Sequence, residues 1–468
     1  MRRVFVLLLD AASPDLIEKW TDDGTLPNLK RLRERGAYGR LDSVAEWLAE
    51  ATPYVFFSGQ SPAATGLHCY AMWQKETMTA RTPGKDWLPY QPFWRSFREN
   101  GPRAIIVDPP NVYPPEPFNG IEIIGWATLD TLAPFQSYPP ELAATIRRRF
   151  GAGLVPDEMY GAGSRDGFLL ARRRMLEINR KFTELCNDLM REEHWDLFLG
   201  TLFTAHHAGH RLWSAVNVKE KLSEAEKADL NDTIRQVYVS IDEAVGRLVE
   251  AVGDEAVIMV LSVHGMDVNN SRCWIFPEML RRVMGTPPAP PSLLQRLRML
   301  IPVEWRHAVK SLLPFHARRG LTRYWRMRAL RWENTRAFKL FSDTQGWVRI
   351  NLKGREALGV VEPAEYDELC REISEGLKSF VDADTGEPII KDIFRPHQVF
   401  EGERLPDLPD MIVRWAESPA SMHRAVSSPR YGVIPWPTPG RNPEGRSGNH
   451  RAQGMLIAAG PDVKPGAI

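Results

Sequence analysis

The sequence predicts an α/β fold with a mostly parallel, doubly wound central sheet, and three observations carry that expectation. Short, near-continuous apolar runs rich in leucine and β-branched residues alternate with longer segments of helical periodicity. Runs of that kind belong to strands covered on both faces, as in a parallel sheet. The residues able to do chemistry stand beside these runs, most of them just after, where open α/β sheets gather ligands at the carboxyl ends of their strands.

In chain order, the first run is Val4 to Asp10, VFVLLLD. Arg2 and Arg3 ahead of it imitate a signal peptide, but the apolar stretch Val4 to Leu9 falls short of the roughly 7 to 15 residues of an h-region. A buried first strand is expected instead. Leu16 to Trp20 and Leu29 to Arg35 are helix candidates, and Ala104 to Asp108 and Ile121 to Trp126 read as strands. The charged segment Asp166 to Glu193 predicts a long helix ahead of the strand Asp196 to Phe203. Within Asn231 to Val252, residues Ile234, Val237, Ile241, Val245 and Leu248 recur at three- and four-residue steps, the period of a helix with one buried face. That helix feeds the strand Ala256 to Ser262.

After Asn270 the character changes. TPPAPP (Thr286 to Pro291) punctuates the chain, and a basic, Trp- and Leu-rich stretch follows, with Arg296, Arg298, Arg306, Lys310, Arg318, Arg319, Arg323, Arg326, Arg328 and Arg331. Residues 271–334 are therefore expected to form an inserted basic helical lid, with 1–270 and 335–468 as the core. The basic run reads as a solvated helical face, as a wall attracting an anionic substrate, or as a membrane-surface helix.

A chain of 468 residues can bury a large core. Its net charge of +1 offers no argument for nucleic acid as a partner, and no reader motif supports one. No stretch approaches the ~18 to 20 apolar residues of a membrane span. Cys69, Cys186, Cys273 and Cys370 are widely spaced with no CxxC pair, which fits a reducing compartment. A cytoplasmic location is expected.

Asp10 ends the first strand, where a carboxylate can bind a cation or cap the following helix. After the fourth strand, TAHHAGH sets His206 and His210 four residues apart, the spacing at which two imidazoles on one helical face bind one metal. His207, one step round, points elsewhere. His264 follows the fifth strand, ahead of Gly265, and His450 precedes the apolar run Met455 to Ala459.

With these residues in place, a series of segments resembles the type I phosphodiesterase/nucleotide pyrophosphatase branch of the alkaline phosphatase superfamily. They are LLLDAASPDLIEKW, TLPNLKRLRERGAYGRL, FFSGQSPAATG, NGIEIIGW, WDLFLGTLFTAHHAGH, VLSVHGM, GWVRINLKGRE, PDMIVRW and SGNHRAQGMLIAAGP. The resemblance implies an alkaline-phosphatase-like α/β/α sandwich with two metal ions, often zinc. It assigns His206, His210 and His450 to one metal site and Asp10 and His264 to the other. His206 stands where many relatives have Asp, and two further positions depart from the family pattern. Val263 stands where Asp usually precedes the histidine of the fifth strand, and Ala49 falls at the position of the nucleophilic Thr or Ser. Glu50 is then a candidate ligand or base, or a solvated loop acid. Thr52, ahead of Pro53, is a candidate catalytic residue or a helix N-cap.

The function expected is metal-dependent hydrolysis of a small phosphoester-type substrate. The cofactor is a divalent metal, zinc first, with one complete site and an incomplete second. Loss of the side-chain nucleophile points to a one-step route through metal-bound water. The alternatives are a non-catalytic or regulatory protein of the same fold, or a hydrolase of another ester such as a sulfate. In INLKGRE, Asn351, Lys353 and Arg355 read as a strand end and turn before they read as phosphate contacts.

Overall fold

A computed structural model describes residues 2–88, 90–128, 131–151, 163–287, 317, 331–443 and 445–467. The chain divides into two compact units: Met1–Gln60 with Pro89–Asn269 and Gly445–Ile468, and Ser61–Leu88 with Asn270–Glu444.

The first unit is built on a nine-stranded sheet in the order Gly466–Ala467, Ala37–Leu41, Gly454–Ala459, Val257–Ser262, Val4–Leu9, Leu197–Leu202, Ala104–Val107, Gly120–Ile124, Gln136–Tyr138. The strands from Val257–Ser262 to Gly120–Ile124 are parallel. Gly454–Ala459 and Gln136–Tyr138 flank them antiparallel. The sheet is thus mostly parallel, with one reversed strand at an edge and the other, Gly454–Ala459, third from the opposite edge.

Alternation along Val4–Leu9 shows why its sequence is apolar throughout. Phe5, Leu7 and Leu9 pack into one cluster with Ile17, Trp20, Leu29, Leu32 and the inner faces of the helices Arg165–Glu192 and Thr233–Val252. Val6 and Leu8 are buried on the opposite face, where Leu8 lies near Thr52, Phe56 and Phe57 of the helix Thr52–Ser58. Each such side chain contributes about 1.5–3 kcal/mol by burial. The period of two then places Asp10 on the face of Leu8.

The expected helices form as Pro14–Asp22, Pro27–Arg35, Arg165–Glu192 and Thr233–Val252. Leu26 gives Pro27–Arg35 no side-chain cap, and a buried carboxylate on another helix supplies one. Asp242 accepts the backbone N–H groups of Asn28 at 3.0 Å and Leu29 at 2.7 Å. The strand expected at Ile121 to Trp126 ends earlier, at Ile124. Gly125 turns the chain with φ of 68°, and the amides of Trp126 and Ala127 leave the ladder for the Asp108 carboxylate, at 2.8 and 2.6 Å.

The second unit holds a four-stranded antiparallel sheet, Ala337–Lys339, Gly346–Ile350, Met411–Trp415, Ile390–Phe394. The helices Phe276–Val283 and Tyr366–Lys378 bury Phe276, Met279, Leu280, Leu369, Ile373 and Leu377 in its core. The INLKGRE segment is structural here. Asn351 donates to the carbonyls of Thr335 and Leu358, and Arg355 forks onto Asp410 at 2.6 and 2.7 Å. Most of the expected lid, 288–330 apart from residue 317, lies outside the described residues.

Candidate metal centre

The site lies in the first unit, at the carboxyl ends of the parallel strands. Asp10 keeps the sheet's hydrogen bonding, its N–H donating to Leu202 at 3.1 Å, and the chain then turns sharply. Ala12 N–H returns to the Leu9 carbonyl at 3.0 Å, and Ala11 adopts φ of 51°, a left-handed conformation rare outside glycine. On the neighbouring strand only Phe203 separates Leu202 from the helix Thr204–Leu212. The Thr204 hydroxyl, 2.5 Å from Asn179 Oδ1, fixes that helix start.

His206 and His210 share one face of this helix, with ring centroids 4.8 Å apart. His450 comes from the strand Gly448–Arg451, which pairs antiparallel with Gly265–Val268 and sets His450 opposite Met266. Its ring lies 4.7 Å from those of His206 and His210. The ligand atoms of all three histidines lie within 4.8 Å of one another, the one such group of three among the described residues. His264 adds a fourth ring, 4.7 Å from His450 and 6.4 Å from His206. His207 packs edge-on to Phe203 and is not part of the group.

Two glycines make this convergence possible. A Cβ on Gly448 would stand 2.2 Å from the Gly209 carbonyl oxygen, and one on Gly209 would stand 2.5 Å from Met266 Cγ. Helix and strand therefore approach backbone to backbone, and Ser447 N–H donates to the His210 carbonyl at 2.7 Å. His210 Nδ1 donates to the Gly448 carbonyl at 3.0 Å, so Nε2 carries its lone pair. His206 Nδ1 donates to Asp10 Oδ2 at 2.7 Å, so Nε2 is the nitrogen left for a metal.

The electrostatics keep these groups ready for a cation. Burial pushes His210 and His450 well below the usual imidazole range, helped by Arg446 and by neighbouring imidazoles. Burial takes His264 down to about 4, against the pull of Asp10. For Asp10, burial works to raise the carboxyl, but the charge and hydrogen bond of His206, together with His264, leave it below its ordinary value. The donor set fits a divalent transition metal: three imidazoles gathered on one point, with those of His210 and His450 kept neutral by burial. The Nδ1 atoms of His264 and His450 are also buried without a hydrogen-bond partner, a state that costs about 1–3 kcal/mol for each group.

Beside this group, Asp10, Thr52 and His264 line a cavity of about 20 Å³ whose other walls include Leu8, Pro53, Phe56, Phe57, Pro110 and Val263. That space holds about one water. Thr52 is the first residue of its helix rather than its cap, and its hydroxyl donates to the Ala49 carbonyl at 2.8 Å. Glu50 sits on the short turn Ala49–Ala51, half-buried, and is not among the cavity's lining residues. The partners of the histidines, the Gly448 carbonyl and the Asp10 carboxylate, were not legible in the sequence. The one signal for the first was glycine at both 209 and 448, on segments far apart in the chain.

Comparison with known proteins agrees with this architecture. The family model described as type I phosphodiesterase/nucleotide pyrophosphatase matches residues 4–418. No curated protein matches the sequence significantly. Among solved structures, phosphonoacetate hydrolase from Sinorhizobium meliloti 1021 in complex with phosphonoacetate is 13% identical, with a TM-score of 0.53 over 99% of this chain and 91% of that one. Its complex with phosphonoformate is 14% identical, at 0.51 over the same shares. Human ectonucleotide pyrophosphatase/phosphodiesterase 5 is 12% identical, at 0.46 over 100% and 90%. The phosphonoacetate hydrolase likeness speaks to the fold, an alkaline-phosphatase-like one, and the family match speaks to the kind of chemistry. The chain belongs to the type I phosphodiesterase/nucleotide pyrophosphatase family of the alkaline phosphatase superfamily and is a phosphodiesterase-like enzyme, a hydrolase of phosphoester bonds.

Proposed function

We propose that this enzyme hydrolyses a small phosphoester in one step, without a covalent phospho-enzyme, at a divalent ion held by His206, His210 and His450. The observation that carries this reading is the gathering of those three ligand atoms within 4.8 Å of one another, while Ala49 stands where the family resemblance places a nucleophilic hydroxyl. His206, His210 and His450 would hold that ion, zinc first, which when bound would polarise a phosphoryl oxygen and lower the pKa of water to ~7.

The chain's own residues do the rest. Burial keeps His210 and His450 neutral at pH 7, as metal ligands must be. Asp10 and the Gly448 carbonyl hold the protons of His206 and His210 on Nδ1, which turns both Nε2 atoms to the same duty. His264 lies close enough to His450 to meet the departing group of a bound ester. The Thr52 hydroxyl, directed to the Ala49 carbonyl, is left out of the chemistry. Phe56, Phe57 and Pro110 narrow the space beside Asp10 and His264 to about one water.

The test measures metal content per chain together with turnover of chromogenic phosphodiesters, phosphomonoesters and sulfate esters. One equivalent of metal and turnover of a phosphodiester are expected. Preparations that turn over the diester with no transition metal, even after chelation, would refute the reading. Preference for the sulfate ester would keep the centre and change the substrate.

A further inference from the structure

Asp10 and His206 form a close polar contact at the centre. Oδ2 lies 2.7 Å from Nδ1, and the two side chains are 12% and 9% exposed. A carboxylate facing an imidazole in this way fixes its tautomer, orients the ring and raises the basicity of the opposite nitrogen. Asp10 is itself held firmly, by its N–H bond to Leu202 and by the left-handed turn at Ala11. It therefore arrives at His206 in one orientation.

Its remaining surroundings are poor for a cation of its own. Of the residues lining the adjoining cavity of about 20 Å³, Asp10 is the one carboxylate, and its Oδ2 is already engaged. Val263 contributes a hydrocarbon where a second carboxylate would be needed; His264, Thr52 and Ser262 add neutral polar groups, and the remaining walls, among them Leu8, Pro53, Phe56 and Pro110, are apolar. An ion placed there would have to shed its water with one shared carboxylate to offset its charge and largely apolar walls around it, which hard and borderline cations resist.

We propose that Asp10 is a positioning residue for His206 rather than the ligand of a second ion, so that the centre takes a single divalent cation per chain. This rests on the reading that His206, His210 and His450 hold that cation. Asp10 does for His206 what the Gly448 carbonyl does for His210, but with a full charge. The departure at Val263 then has a counterpart: a carboxylate released from one task serves the neighbouring histidine.

The test titrates metal-stripped full-length chain with Zn²⁺ and with Co²⁺, in the wild type and in Asp10→Asn, Asp10→Glu and His210→Ala. Unfolding of each metal-free variant is measured alongside. Wild type is expected to bind one equivalent. Asp10→Asn is expected to keep that stoichiometry with about 10–100-fold weaker affinity and an altered Co²⁺ visible spectrum, and Asp10→Glu to recover part of the loss. A merely structural role would lower the stability of the metal-free protein in step and leave the spectrum alone. Two equivalents in wild type with one lost in Asp10→Asn would overturn the proposal, as would unchanged affinity in Asp10→Asn. Absence of binding in wild type, or a full equivalent retained by His210→Ala, would instead sink the three-histidine reading, and the role of Asp10 with it.

Discussion

Single residues at this centre differ in what they can do because their protons go to different places. The Thr52 hydroxyl donates to the Ala49 carbonyl in the short turn just ahead of its helix. A hydroxyl without an adjacent base is a weak nucleophile. Thr52→Ala is therefore expected to keep kcat within about tenfold of wild type, a loss of under ~1.4 kcal/mol in transition-state stabilisation. His210→Ala should lower kcat by on the order of 10³ or more, matching the several kcal/mol a metal supplies to the transition state. Steady-state kinetics on a chromogenic diester, with a rapid-mixing search for a phospho-enzyme burst, would decide. A burst that disappears in Thr52→Ala would restore the hydroxyl route.

The elements meet where two glycines leave room. The helix Thr204–Leu212 and the strand Gly448–Arg451 share no apolar interlock at Gly209 and Gly448, because their backbones touch there. Adding a methyl group at Gly448 must push the strand outward and carry His450 with it. Overpacking of this kind costs about 1–3 kcal/mol. Gly448→Ala should lose that much in denaturant unfolding, and should also bind zinc more weakly, since the ligands must lie within a few tenths of an ångström of their places. Unchanged metal affinity together with the expected loss of stability would show that the contact supports the fold alone.

The whole molecule carries several buried neutral imidazoles, and they make its stability depend on pH. Burial takes His68, in the second unit, and His264, in the first, down to about 4, while an unfolded histidine titrates near 6.5. Between those values the unfolded chain binds more protons than the folded one, so unfolding becomes easier as the pH falls. Each fully buried imidazole moved that far contributes on the order of 3 kcal/mol at neutral pH, lost progressively between about pH 6.5 and 4. Metal-free protein should therefore show a falling Tm across that window, with little change from pH 7 to 8. A flat Tm from 7 to 4 would mean that these imidazoles are already charged or solvated.

Much of the fold could be read in the chain itself. Runs such as Val4 to Leu9 must be covered on both faces, and the step pattern from Ile234 to Leu248 admits one buried helical face, so the strands, the helices and their parallel arrangement follow from local periodicity. The candidate ligands were legible for the same reason: chemistry gathers at strand ends, and His206 and His210 share a helical turn. Tertiary structure alone decided what each ligand touches. Asp10 and His206 lie 196 residues apart in sequence, and His210 and Gly448 lie 238 apart, so no periodicity relates them. Only strand order and the close approach of two backbones bring them into hydrogen-bond reach. The sequence alone therefore determines which side chains stand at the strand ends, and folding determines which of them hold one another in place.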